Sequence, residues 1–270
     1  MSHATATMTR TGRNTLVRMN GTCFHAVVIA SFLESVAPDA AKRMFRHSGS
    51  GQSAARWVDD VWLPSRSVRS TQLRERVAMI WPEFDWAEAR SRFRKEYRWV
   101  LSGSRQGTTA GSLFDLSLAA AHAAIFYRML GAWSDDHEIR RIATNAASEE
   151  LRHFAWLQRS YNDCDRRDRM SFWDAAVRAR ATQHRWRDHS VRLAFESIAA
   201  GWTGPAVVSE VSYPSLLAAM ASATGRTEGG GLMRRLLLRP WQMPPASAKG
   251  TGNVVVFADA HRYRSTAIAA

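Results

Sequence analysis

Apolar residues recur at three- and four-residue intervals through most of this chain, and alternation of the strand type is nearly absent. Three long segments carry the helical rhythm. The first runs from about 112 to 131, with Ser112 as cap and Gly131 as stop. The second runs from about 134 to 160, with Asp135 and Asp136 in its first turn, where the helix dipole favours acids. The third runs from about 171 to 200, with Ser171 as cap and Gly201 as stop. Its seam reads Phe172, Ala175, Ala179, Thr182, Trp186, His189, Leu193, Glu196, Ala200. Upstream, the pattern predicts helices over roughly 23–45 and 86–101, the latter capped by Asp85. Between them lie a Gly/Ser-rich linker at 46–56 and an aromatic segment at 57–68. Beyond Pro205 the pattern weakens to short helices at Ser215–Thr224 and Leu232–Arg239. Asn253–Phe257 has strand character but no partner strand. These readings give an all-α chain in four parts: a disordered tail at 1–20, a helical N-terminal extension and linker at 21–110, a helical bundle at 111–240, and an irregular tail at 241–270.

Charge changes this picture little. The net charge of +13 would ordinarily suggest nucleic acid or an anionic surface. Only three of the 37 basic residues are lysines, and the arginines are spread over the whole chain, with no groove-reading motif. A nucleic-acid partner is therefore not expected. Cys23 and Cys164 form no metal or redox motif, which points to a reducing cytoplasm. No run of eighteen purely apolar residues occurs, so no transmembrane segment is expected. Residues 1–33 lack acids, contain Arg10, Arg13 and Arg18, and end in the apolar run Cys23–Leu33. That is the composition of a targeting peptide, or of a tail followed by a buried helix; the second reading is preferred.

The candidate chemistry lies in Glu149-Glu150-Leu151-Arg152-His153. Glu150 and His153 are three residues apart and so share a helix face. They interrupt the stripe Ile139, Ala143, Ala146, Glu150, His153, Leu157, whose spacing marks a buried seam. A carboxylate buried there needs a metal, a counter-charge or an internal cavity. A salt bridge to an arginine answers that need as well as a metal does, and Arg128, Arg152 and Arg192 are the candidates.

A Glu-x-x-His on a seam, with the small-and-aromatic helix Ala121-His122-Ala123-Ala124-Ile125-Phe126-Tyr127 before it, resembles the ferritin-like di-iron carboxylate superfamily. The resemblance covers roughly 112–200. It implies a ferritin-like bundle in which Glu150, His153 and Glu196 hold iron, as one or two ions, and activate dioxygen on a small organic substrate. The ligand set is incomplete. Ala120 stands where the first-helix Glu belongs, with His122 or Asp115 as substitutes, and Gly231 stands where Glu228 would need a His. His122 is the preferred fourth ligand. The alternative is a degenerate, metal-free ferritin-like domain that serves as a binding or scaffold protein. A homo-oligomer is compatible with either.

Overall fold

A computed structural model describes residues 18, 20–46, 52–102, 108–165, 167–205, 208 and 210–226. The expected elements at 232–239 and 253–257, together with Glu228 and Gly231, lie outside the described residues. Among those described, the chain is all-α. Helix α1 covers Gly21–Arg46. The short α2 (Gln52–Trp57) passes through a π turn (Val58–Trp62) into α3 (Leu63–Ile80). Then come α4 (Trp86–Ser102), α5 (Thr109–Trp133) and α6 (His137–Asn162). Helix α7 (Phe172–His184) continues through a second π turn (Arg185–Val191) into α8 (Arg192–Ile198), and α9 covers Tyr213–Arg226.

Capping explains where these helices begin. Asp136 accepts from the Ile139 N–H at 2.9 Å and starts α6, while Asp85 accepts from the Glu88 N–H at 3.0 Å and starts α4. Ser171 accepts from the Asp174 N–H at 3.2 Å ahead of α7. Helix α5 begins earlier than expected, because Thr108 rather than Ser112 caps it, accepting from the Gly111 N–H at 3.1 Å. It also runs past Gly131, where the missing side chain faces Ala143 and brings α5 close to α6.

Four helices form the central bundle, and they are not the four expected from the sequence. α1 pairs with α3 and α5 pairs with α6, with cross-contacts α1–α5 and α3–α6. Contacts between Ser31 and Ser70 and between Phe24 and Trp81 make α1 antiparallel to α3. Contacts between Arg66 and Glu150 and between Arg76 and Asp136 make α3 antiparallel to α6. Phe114 meets Tyr161, so α5 is antiparallel to α6 as well. Helices α3 and α5 are therefore parallel, and the chain must travel the length of the bundle between them. Helix α4 makes that crossover, running beside α1 through Trp86–Ser31, Phe32–Phe93 and Arg94–Asp39.

The segment expected to be an N-terminal extension is thus a core element. Phe24, Val27, Val28, Ile29 and Phe32 of α1 are fully buried. The aromatic segment at 57–68 is the start of one of its helices. α7 and α8, expected to be a bundle helix, instead pack outside the four, against α1, α4 and α5. Gly201 accepts from the Asp85 N–H at 2.8 Å, and a Cβ at Gly201 would sit 2.2 Å from the Asp85 oxygen; this contact holds the turn after α8 against the start of α4. Gly21–Lys42 and Thr109–Trp133 are long and apolar enough on average to cross a membrane, and both are largely buried against other helices.

The buried apolar residues fall into two clusters. One gathers the Phe24–Val36 face of α1 with Leu73, Val77 and the Ile125–Leu130 and Ile139–Ala147 stretches. The other gathers Trp62, Leu113–Ala121, Phe154, Leu157 and Tyr161. On α3 the residues between the clusters are Arg66 and Arg69, on α6 Glu150 and His153, and on α5 His122. A polar layer crosses the middle of the bundle.

Candidate functional site

Glu150, fully buried on α6, is the centre of that layer. The Arg66 guanidinium donates to its Oε2 at 2.8 Å and that of Arg69 to its Oε1 at 2.7 Å. Both arginines also reach the buried Glu34 of α1, Arg66 at 3.1 Å and Arg69 at 2.9 Å. Tyr127 of α5 donates its hydroxyl to the same Glu34 oxygen at 2.5 Å. Arg69 has a further partner at the rim, Glu149, at 2.9 Å. Aromatic faces complete the enclosure. Arg66 lies over Trp62 at 4.6 Å and Arg69 over Tyr127 at 5.2 Å, distances at which a desolvated cation gains from the ring quadrupole. All four bundle helices contribute, and the two buried carboxylates are matched by two buried guanidinium groups.

Local sequence explains the placement. From the end of the π turn through α3, the inward positions Trp62, Arg66, Arg69, Leu73, Val77 and Ile80 keep three- and four-residue spacing, so the two arginines stand where apolar residues would. The π turn at Val58–Trp62 precedes them immediately. His153 lies beside Glu150, with its Nδ1 3.5 Å from Oε1, and meets the edge of Trp57. Trp57 in turn stacks on Trp156 at 4.0 Å.

The charges in the layer are locked. Burial opposes ionisation of Glu150, but Arg66, His153 and Arg69 outweigh it and hold the carboxyl at about 2. Burial also opposes the charge on Arg69, and Glu34, Tyr127 and Glu150 more than reverse this, pushing it above its usual range. Burial and the Glu34 carboxylate push the Tyr127 phenol well up. None of these three exchanges a proton near neutral pH, so they are poor general acids or bases.

The four expected ligands do not gather. Glu150 and His153 are adjacent, as their spacing requires. His122 is buried elsewhere in the layer, stacked on Trp186 with its Nδ1 donating to the Leu118 carbonyl at 2.8 Å. Burial lowers it to about 4. Glu196 is half exposed and pairs with Arg192 on its own helix at 2.7 Å. Asp115, the other substitute, is held by Arg178 at 2.8 Å through both oxygens. His189 is exposed. Among the described residues, no three His, Cys, Asp or Glu side chains converge as a metal site would require. The donor set also argues against iron. The oxygens of Glu150 that a cation would use accept from Arg66 and Arg69, and two buried positive charges would repel it. The salt bridge expected as the rival to metal is present, but its arginines come from α3 rather than being Arg128, Arg152 or Arg192.

Sequence reasoning missed Glu34, Arg66, Arg69 and Tyr127. Their signal was the α3 spacing itself, which is obscured when arginines are assumed to face solvent. Cys23 and Cys164 are both free thiols; burial pushes Cys23 to about 11. No family model matches the chain, and neither a curated protein nor a solved structure matches it.

Proposed function

We propose that this protein is a metal-free helical domain of the ferritin-like type that works as a binding or scaffold protein. The observation that carries this reading is the position of the Arg66 and Arg69 side chains between Glu34 and Glu150. Ferritin-like di-iron proteins take one carboxylate from each of two helices and a Glu-x-x-His from each of the other two, in a bundle with one long crossover. Here one helix gives Glu34, the next Arg66-x-x-Arg69, the third Tyr127 and the fourth Glu150-x-x-His153. On this reading the four groups take the places of the metal ligands, with guanidinium groups supplying the positive charge that metal ions would bring. Such a centre neutralises its carboxylates without a cofactor and leaves no open coordination position for dioxygen.

The test is reconstitution with ferrous iron without oxygen, followed by desalting and elemental mass spectrometry. The expected result is protein without stoichiometric iron and without an iron optical spectrum. One or two irons per chain, lost in a Glu150→Ala variant, would overturn the proposal and restore an oxygen-activating iron enzyme.

A further inference from the structure

A second polar site lies one helix face away from the charged layer. An open cleft of about 240 Å³ lies between α1, α3 and α4, with Ser67, Thr71 and Arg74 exposed along its α3 wall. That is below the roughly 300 Å³ at which pockets for drug-sized molecules begin, and it suits a compact ligand. Two cationic side chains border it, Arg74 from α3 and Arg90 from α4. Both lie over the Trp86 indole, at 5.6 and 5.3 Å from its centre. Among the described residues neither makes a salt bridge. Arg90 spends its Nε on the Ser35 hydroxyl at 3.1 Å, and nearby Asp39 is taken by Arg94 at 3.0 Å. Burial, Arg94 and Arg74 together push Arg90 below its usual range, with Asp39 opposing them. Both guanidinium groups approach the same indole, without a shared counter-ion among the described residues.

The remaining wall supplies neutral donors. Ser67, Thr71 and Arg74 follow one another at four and three residues on α3 and so share a face. Glu34 also lines the wall: Arg66, Arg69 and Tyr127 all bind its Oε1, and its buried Oε2, which has no hydrogen-bond partner among the described residues, is an acceptor that a protonated phosphate oxygen would have to meet. Trp86, which both arginines approach, is held by its N–H donating to Ser31 at 2.8 Å and by the edge of Phe32. Two unpaired cations, two hydroxyls and a small volume are the requirements for a tetrahedral oxyanion.

We propose that this cavity binds a phosphate group, free or as a small monoester, through Arg74 and Arg90 with Ser67 and Thr71 as neutral donors. The site shares Glu34 with the charged layer, but its proposed donors are not part of that layer, so its test is separate from that of metal binding.

Isothermal titration of the full chain with inorganic phosphate, and separately with glycerol 3-phosphate, tests it and tells the free ion from the monoester. Saturable one-site binding of either is expected. Arg74→Gln with Arg90→Gln should weaken it about tenfold or more, the scale of one or two charge-assisted hydrogen bonds. Arg92→Gln with Arg141→Gln removes the same charge from surface arginines paired to Glu96 and Glu138, and should leave binding unchanged. Ser67→Ala with Thr71→Ala should weaken it at constant charge. Absence of saturable binding by both ligands, or equal loss in the two arginine double variants, would overturn the site.

Discussion

Glu150 shows what a buried carboxylate demands of its surroundings. Its two oxygens are taken by two arginines that are themselves buried, so removing it leaves positive charge stranded away from water. Glu150→Ala should lower unfolding stability by about 3–5 kcal/mol, measured by urea denaturation; a loss below about 1 kcal/mol would mean the layer is hydrated. Its acid dependence has a definite sign. The folded carboxyl is depressed to about 2 from 4.5, so its contribution is complete above 4.5 and disappears as pH falls toward 2. His122 acts in a higher window. Burial lowers it from 6.5 to about 4, so the unfolded state takes up a proton first, and stability falls as pH drops from 6.5 to 4. Its Nε2 is buried without a hydrogen-bond partner. A His122→Phe variant keeps the stack on Trp186 and should flatten that part of the stability–pH profile relative to the parent. An unchanged slope would place the titration in another group, such as His25, which burial also lowers.

The helix formed by α7, its π turn and α8 explains why the expected seam failed at its far end. Ala175, Ala179, Thr182 and Trp186 face inward or partly inward, as the three- and four-residue spacing predicts. The π turn at Arg185–Val191 then takes up one extra residue, and from its last residues onward the buried positions are Ser190, Val191, Ala194, Ser197 and Ile198. Ser190, Ala194 and Ser197 each lie one place after a position the regular spacing predicts, and Val191 and Ile198 adjoin them. A one-residue slip turns the face by about 100°, and this carries His189 and Glu196 to the surface. The register makes a paired prediction. Ile198→Ala should cost about 2–5 kcal/mol in chemical denaturation, whereas Glu196→Ala should change stability by no more than about 0.5 kcal/mol. The reverse order would show that the helix keeps its plain α register. The π turn itself was not legible, because no residue in Arg185–Val191 forbids an ordinary α turn. α3 was hidden for a different reason. Its seam has correct helical spacing, but two of its positions are arginines, and a pattern read from apolar residues alone stops at Trp62 and resumes at Leu73.

Taken as a molecule, the bundle depends on α1 as much as on the helices that carry the Glu-x-x-His. Helix α1 supplies the buried Phe24–Phe32 face, Glu34 for the charged layer and one wall of the phosphate-sized cavity. A chain beginning at Gln52 should therefore show no cooperative unfolding transition by circular dichroism, since Arg66 and Arg69 would lose one of their two buried carboxylates and the first apolar cluster one of its sides. A sharp transition in that shortened chain would make 21–46 the dispensable extension that its position in the sequence suggested.

The sequence alone determined that the chain is helical, where most helices start, and that Glu150 and His153 share a buried face. These are local properties, set by side-chain spacing and by caps acting over three or four residues. It also showed that a buried carboxylate there needs a partner, and left open whether that partner is a metal or an arginine. Tertiary structure supplies two arginines. Arg66 and Arg69 lie more than eighty residues before Glu150, and only the antiparallel packing of α3 on α6 brings them within hydrogen-bond distance. Which helices form the bundle was decided in the same way, by matching apolar faces across long stretches of chain, a comparison to which no single segment holds the key.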